Sequence, residues 1–126
     1  MHSKNLTQFN NWDKLDTSIL SGLPTDKGIY VMRLNRLISR LKGKSDILYF
    51  GQTKGTNGLK GRVGLYFRGH KSQATVHRLH SFIVGKYAGN IELAWLIVKE
   101  PRVIEKTLLQ QYFQDHEELP PWNRIT

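Results

Sequence analysis

The chain contains no cysteine, and this absence excludes both a disulfide framework and a thiolate metal site. It also lacks any uninterrupted apolar run long enough to cross a bilayer. Residues 1–11 are polar and do not contain the apolar core of a secretory signal peptide. We therefore expect a cytoplasmic protein that does not contact a membrane.

Acidic residues are few in comparison with basic ones. The 126 residues include 10 Asp and Glu against 19 Lys and Arg, which gives a formal net charge of +9. Such an excess favours a polyanionic partner, most often nucleic acid, although anionic lipid or mere solubility are alternatives. The length predicts a single domain over residues 1–126, with residues 1–27 as an N-terminal extension packed on it.

Two apolar segments of strand length, residues 28–34 and 46–51, each carry one tyrosine, Tyr30 and Tyr49. Both segments are rich in β-branched and aromatic residues and are bounded by turn-forming residues. We predict an antiparallel pair of strands, joined by a basic connector that is either a long hairpin connection or a short helical excursion. The tyrosines either meet at a shared edge or are ordinary strand residues with solvated hydroxyls.

Residues 59–70 have the apolar spacing of an amphipathic helix. Arg62, Tyr66 and His70 follow one another at intervals of four and are predicted to share one face. An arginine fork binds phosphate oxygens bidentately, so this face is suited to holding a phosphodiester. The alternative is a solvated basic face with a half-buried tyrosine.

The rest of the chain predicts two more helices and a third strand. Residues 72–87 read as a helix with Ser72 as its N-cap, and residues 90–98 as an apolar strand. Residues 102–116 read as a helix on which Glu105 flanks the apolar stripe. Glu105 is either a ligand for a hard cation or an early-helix glutamate favoured by the helix dipole.

The two tyrosine segments carry Gly28-Ile29-Tyr30 and Tyr49-Phe50-Gly51, which resemble the paired signature of the GIY-YIG nuclease superfamily. Phe50 stands where that family usually has Ile or Val. The helix segment that contains Leu59, Lys60, Arg62 and Tyr66 is similar to the nuclease domain that makes the 3′-side incision in bacterial nucleotide excision repair. Gln52 departs from that repair branch, which often has a lysine directly after the second glycine, whereas Lys54 matches a basic position.

Two further elements follow in the order found in the family. Residues 105–112 match its Glu-x-x-Leu-Leu-x-x-Tyr helix motif, in which the glutamate is the single metal ligand. Residues 120–123 resemble its terminal Pro-x-aromatic-Asn, although the segment between Tyr112 and Asn123 is several residues longer than in the repair enzymes. The resemblance spans about three-quarters of the chain, from Gly28 to Asn123.

The resemblance implies an α+β fold, with a small three-stranded antiparallel sheet flanked by helices, and a metal-dependent endonuclease acting on DNA. One Mg²⁺ or Mn²⁺ would be bound by Glu105. The implied catalytic residues are Tyr30, Tyr49, Arg62, Tyr66, His70 and Asn123. Nucleic-acid contacts are expected from Lys54, Lys60, Arg68 and Lys71.

Within that implied mechanism, Arg62 binds a phosphate oxygen and a tyrosine takes the proton of the attacking water. Tyr30 is favoured as this base, and nearby cations are expected to favour its phenolate form. The main alternative is a nucleic-acid-binding module that keeps the fold and cuts little or nothing. The sequence leaves open DNA or RNA as target, its specificity, the biological pathway, and a monomeric or homodimeric state.

Overall fold

The computed structural model describes residues 6–124, which form an α+β fold. Four strands, three α-helices, a short 3₁₀ helix and a π-helical segment follow one another along these described residues. In chain order they are β1 (Asp13–Lys14), the 3₁₀ helix (Thr17–Gly22), β2 (Gly28–Ser39), β3 (Lys44–Thr53), α1 (Gly58–Arg68), α2 (Ala74–Ser81), the π segment (Phe82–Lys86), β4 (Ile91–Ile97) and α3 (Pro101–His116). None of the helices in this part of the chain is long and apolar enough to cross a membrane.

The sheet is antiparallel, with the strand order β1-β4-β2-β3. The α+β class is confirmed, but the predicted number of three strands is wrong, because Asp13 and Lys14 pair with β4 as a fourth strand. A two-residue strand with both side chains exposed leaves no alternation of apolar and polar residues that sequence analysis could detect. The central pairing of β2 with β3 and β4 brings the two tyrosine segments together.

The sheet buries a separate apolar cluster on each face, because successive side chains of β2 point to opposite sides. Tyr30 and Met32 belong to the cluster that α1, α2 and the 3₁₀ helix cover. Ile29 and Val31 belong to the other cluster, which α3 and the N-terminal residues cover. All four side chains are fully buried. The functional residues predicted on α1 and α3 therefore approach the sheet from opposite faces.

The described part of the N-terminal extension, residues 6–27, packs on both faces of the sheet: Leu6 and Phe9 belong to the second cluster, and Leu15, Ile19 and Leu23 to the first. The side chain of Asp16 caps the 3₁₀ helix by accepting a hydrogen bond from Ser18 N, and Ile19 and Leu23 are buried. Residues 1–5 of the predicted extension lie outside the described residues.

The connector between β2 and β3 is a tight hairpin turn, and the helical alternative is excluded. Arg40 N donates to Gly43 O across the turn at 2.9 Å. The turn packs against the end of α3, where Lys42 N donates to His116 O at 3.2 Å and Leu41 N donates to the Glu118 carboxylate at 2.7 Å. The basic connector is thus held to the protein body.

The C-terminal tail lies along the edge strand β3 beside a bulge. Met32 faces Tyr49 across the β2–β3 pair and Arg33 faces Ile47, so that Leu48 is the extra residue. Trp122 N donates to Leu48 O at 2.9 Å. The tail therefore covers the edge of the strand that carries Tyr49.

The predicted helix over residues 72–87 is wrong in its start and its continuity. The helix α2 begins after Gln73, and it gives way at Phe82 to the π segment. Ser72 is not its N-cap, because the Ser72 hydroxyl instead lies 2.6 Å from Nδ1 of His70.

Candidate active site

Three tyrosine rings from three elements meet on the α1 face of the sheet. The hydroxyls of Tyr30, on β2, and Tyr66, on α1, are hydrogen-bonded at 2.5 Å. The ring centroid of Tyr30 lies 6.2 Å from that of Tyr49, on β3, and 6.2 Å from that of Tyr66. Sequence reasoning predicted Tyr30 and Tyr49 at a shared edge, and the structure brings Tyr66 to the same place.

The glycine of the second triplet makes room for this cluster. Gly51 faces Tyr30 directly across the β2–β3 pair. A Cβ atom added to Gly51 would lie 2.3 Å from Cζ and 2.5 Å from the hydroxyl oxygen of Tyr30, closer than any real Cβ contact. The ring of Tyr30 therefore lies over the backbone of β3, which only glycine permits.

Arg62 lies one turn before Tyr66 on α1, with Cζ 5.7 Å from the Tyr66 ring centroid. Its Nε is buried and has no hydrogen-bond partner among the described residues. Burial alone would lower the pKa of Arg62, but the oxygens of Tyr66 and Tyr30 outweigh it and raise the pKa above its ordinary value. The side chain also lines an open groove of about 330 Å³ at the start of α1. A fixed cation with an unpaired donor is suited to an oxyanion.

The three phenols differ in their access to solvent. Tyr30 and Tyr66 are fully buried, whereas Tyr49 keeps 9% of its surface exposed. Burial raises the pKa of both Tyr30 and Tyr49, the neighbouring phenols raise it further, and Arg62 opposes the shift only in part. Both phenols are therefore neutral at neutral pH. In the protein without metal or substrate, desolvation outweighs the charge of Arg62, and the expectation that cations favour the phenolate of Tyr30 stays a prediction for the complex.

Glu105 comes to this cluster from the opposite face of the sheet. It is half-buried on α3, and burial raises the pKa of its carboxyl, which the charge of Arg102 partly offsets. The charge of Glu105 in turn contributes to raising the pKa of Tyr49. The carboxylate therefore lies close enough to Tyr49 for the two groups to share one electrostatic environment.

Glu105 would provide a single protein ligand to a metal ion, and only some metals bind with so few protein ligands. Within residues 6–124, no three His, Asp or Glu side chains are grouped so as to hold a metal ion. Zinc usually takes three or four protein ligands, whereas Mg²⁺ keeps several waters and uses one or two carboxylates with substrate phosphate. The partly desolvated Glu105 fits a hard cation of the second kind.

Two arginines near the cluster were missed by sequence reasoning. Arg78, on α2, donates to Trp122 O at 2.9 Å. Burial and the charge of Arg124 lower the pKa of Arg78. Tyr49 and Tyr66 raise the pKa of Arg78 but do not fully offset this decrease. Arg78 thus lies near both tyrosines, and Arg124 near Arg78. No helical periodicity marked Arg78, and only the course of the C-terminal tail brings Arg124 here.

The structure uses two of the predicted catalytic residues, His70 and Asn123, differently from the expectation. The helix α1 ends at Arg68 and Gly69 has a φ of 73°, so the predicted shared face of Arg62, Tyr66 and His70 is wrong for His70, which is exposed. Asn123 accepts a hydrogen bond from Phe50 N and donates one to Phe50 O, both at 3.0 Å. Its amide is thus used to hold the tail on β3, and its catalytic role stays a prediction.

The departures from the family pattern have different structural contexts. Phe50 belongs to the apolar cluster on the face opposite the three-tyrosine cluster. It packs edge-on against Tyr112 of α3, with ring centroids 6.1 Å apart. It is therefore a core residue of the second cluster. The Oε1 of Gln52 is buried and has no partner among the described residues.

The predicted nucleic-acid contacts are all solvent-exposed cations. They are Lys54, Lys60, Arg68 and Lys71. Lys60 and Arg68 line one shallow groove of about 270 Å³ between α1 and the segment of Leu20 and Thr25, and Arg68 also lines the groove that contains Arg62. The structure thus places Arg68 at the groove of Arg62 and Lys60 in the neighbouring groove, whereas Lys54 and Lys71 line neither.

Comparison with known proteins adds no relative to these observations. The chain matches no family model, no curated protein and no solved structure.

Proposed function

We propose that this protein is a metal-dependent endonuclease of the GIY-YIG type that hydrolyses phosphodiester bonds of DNA. The observation that carries the proposal is the convergence of Tyr30, Tyr49, Tyr66 and Arg62 from β2, β3 and α1, with the charge of Glu105 acting on Tyr49 from α3. These five residues are separated in sequence and belong to one motif series. A purely structural tyrosine cluster would not need a half-buried arginine and a half-buried carboxylate beside it.

In this mechanism, Arg62 binds a non-bridging oxygen of the scissile phosphate. The side chain lines an open groove through which an anion can reach the guanidinium, and its interactions with Tyr66 and Tyr30 hold the cation in place. Negative charge on the phosphate oxygens increases at the transition state, and a fixed cation then stabilises the transition state more than the ground state. The net charge of +9 supplies the long-range attraction for the polyanion.

Tyr49 is assigned the contact with the attacking water, in place of Tyr30. Of the three tyrosines of the cluster, Tyr49 keeps 9% of its surface exposed, whereas Tyr30 and Tyr66 are fully buried. In the resting protein, Tyr49 is a neutral phenol that can orient a water or a phosphate oxygen. When it has lost its proton, it can accept one from the water. Tyr30 and Tyr66 hold the ring of Tyr49 and the guanidinium of Arg62 in place.

Glu105 would bind one Mg²⁺ or Mn²⁺, which supplies a Lewis acid for the phosphate and the leaving oxygen. Arg102 lies near enough to Glu105 to favour its ionised form, which a metal ligand requires. A second candidate function is a binding module without cleavage. The raised pKa values of the tyrosines favour it, because they oppose base catalysis in the resting protein.

The test of the proposal is the cleavage of supercoiled plasmid with Mg²⁺ or Mn²⁺, compared with EDTA. We expect metal-dependent nicking by the wild type, and about a 10²-fold lower rate for Arg62→Ala, the usual loss for one transition-state donor. Arg36→Ala is the matched control, because it removes the same charge from an exposed position. An equal decrease of the nicking rate in both variants would mean that Arg62 contributes only its positive charge and no specific contact with the phosphate. Salt-sensitive binding by the wild type without any nicking would favour the binding module.

The pH dependence of cleavage reports the state of the base. Because burial holds the pKa of Tyr49 above its ordinary value of about 10, the deprotonated fraction rises about tenfold for each pH unit between pH 7 and 9. We therefore expect log kcat/KM to rise with a slope of about one across this window, and the slope to disappear in Tyr49→Phe. A plateau beginning below pH 8 would contradict this assignment. Loss of the slope in Tyr30→Phe alone would return the base role to Tyr30.

A further inference from the structure

A third groove, with a volume of about 710 Å³, lies between α3 and the C-terminal tail. Glu105 lines it, and its apolar lining comes from Leu109, Phe113 and Leu119. Phe113 leaves 53% of its surface exposed. An aromatic ring is costly to leave in water, so a ring this exposed beside a groove indicates a binding surface.

The charged lining of the same groove is mostly basic. Arg102 and Lys106 lie one turn apart on α3, and Arg124 reaches the groove from the C-terminal tail. None of the three forms an ion pair with an acidic side chain in the described part of the chain, where the ion pairs involve Arg33 and Arg40. Among residues 6–124, Glu105 is the only acidic residue that lines the groove. The groove therefore combines an exposed aromatic ring with three cations that form no ion pair within these residues.

We infer that this groove binds an unpaired nucleotide of a DNA strand, with its base stacked on Phe113 and its flanking phosphates held by Arg102, Lys106 and Arg124. Sequence-independent single-strand binding uses this combination of aromatic platform and cationic track. A base within a duplex is stacked on both faces and cannot offer one to Phe113. The volume lies within the range of small-ligand sites, so one nucleotide fits it.

The position of the groove beside the candidate active site predicts a substrate preference. This prediction of a preferred substrate rests on the proposed function. Glu105 belongs both to the groove and to the candidate active site. A nucleotide held in the groove would therefore adjoin the scissile phosphate. The preferred substrate of the nuclease is then a junction between duplex and single strand, such as a flap, rather than continuous duplex.

The charges argue against a second copy of this chain as the occupant. A symmetric contact through this groove would place its three cations against the same three cations of the partner. Such a contact is repulsive unless anions screen it. A polyanion satisfies the three cations directly.

The test is the binding of a fluorescent single-stranded thymidine octamer to the full chain in EDTA, measured by anisotropy. We expect Phe113→Ala to weaken binding about 5- to 150-fold, the usual range for loss of one base–aromatic stack. Phe113→Trp keeps the platform and should retain binding. Val103→Ala is the matched control, because Val103 is an apolar residue of the same helix with 54% exposure and does not line the groove.

A blunt duplex of the same length separates stacking from charge. Binding of the duplex should not differ between wild type and Phe113→Ala, whereas Arg124→Gln should weaken single-strand binding and reduce its salt dependence. Equal binding of the octamer by wild type and Phe113→Ala would overturn the inference. A concentration-dependent dimer that Phe113→Ala abolishes, with octamer binding unchanged, would also overturn it in favour of a second copy.

Binding in EDTA and cleavage in Mg²⁺ can fail separately. Octamer binding that depends on Phe113, without cleavage of any substrate, supports the groove and contradicts the proposed function. Cleavage of flap and duplex substrates at equal rates by wild type and Phe113→Ala supports the nuclease and overturns the groove. If both proposals hold, wild type prefers the flap and Phe113→Ala loses that preference.

Discussion

Replacement of Glu105 by glutamine is expected to reduce Mg²⁺-dependent cleavage about 10³-fold, while the fold is retained. The Lewis-acid contribution of one bound metal ion is several kcal/mol, and about 4 kcal/mol corresponds to three orders of magnitude in rate. Glutamine keeps the shape of the side chain and removes the charge that binds a hard cation. The measurement is the single-turnover nicking rate of each variant at saturating protein.

The thermal stability of Glu105→Gln tests whether the variant keeps its fold, and the direction of the expected change can be derived. Because burial raises the pKa of Glu105, folding favours the protonated carboxyl, and the ionised form lowers stability at pH values above the unfolded pKa. Glutamine removes this cost, so Glu105→Gln should unfold at the same temperature as wild type or higher. Mg²⁺ should raise the melting temperature of wild type and not of the variant.

Glu100→Gln is the matched control for Glu105→Gln. Glu100 is an exposed glutamate directly before α3, so its replacement changes the net charge equally without touching the cluster. We expect the control to cleave at the wild-type rate. A comparable loss in both variants, or full activity of Glu105→Gln, would remove Glu105 from the metal site.

Replacement of Gly51 by alanine is expected to destabilise the protein by about 3 kcal/mol, at the upper end of the usual range for overpacking. The added Cβ would lie 2.3 Å from Cζ of Tyr30, whose ring is fully buried and cannot move aside. This loss is a large share of the stability of a small domain. Urea unfolding at equilibrium measures it, with Gly22→Ala as control because a Cβ at Gly22 has no neighbour within 4 Å.

A double-mutant cycle assigns this cost to one contact. Tyr30→Ala alone removes a buried ring and is itself destabilising. If the clash is with that ring, Gly51→Ala should cost far less in the Tyr30→Ala background than in wild type, a coupling of more than about 1 kcal/mol. Additive costs would mean that Gly51 is required by the strand backbone and not by Tyr30.

Much of the fold could be predicted from local patterns. The strands carrying Tyr30 and Tyr49 are dense in β-branched and aromatic residues, and Pro101 at the start of α3 marks that helix boundary. The strand of Asp13 and Lys14 was not predictable, because its only distinguishing property is its pairing with Glu92 and Leu93. Pairing between distant residues leaves no trace in a local sequence window.

The candidate site was predictable where helix spacing sets positions, as for Arg62 and Tyr66. It was not predictable where the chain leaves regular structure. Gly69 follows the end of α1 and has a positive φ. His70 therefore lies outside the helix, and its four-residue spacing from Tyr66 does not place it on the same face. Arg78 donates to Trp122 O of the C-terminal tail, and no local pattern marks this contact between residues 44 positions apart.

The pairing of β2 with β4 has a consequence for the order in which the protein folds. The hairpin of β2 and β3 joins residues that are close in sequence, and α1 follows directly, so the tyrosine cluster needs only short loops to close. The pairing of Gly28 with Ile97 must wait for the closure of a much longer loop, and α3 follows it. We expect the tyrosines and Arg62 to assemble early in folding, and Glu105 to join them last.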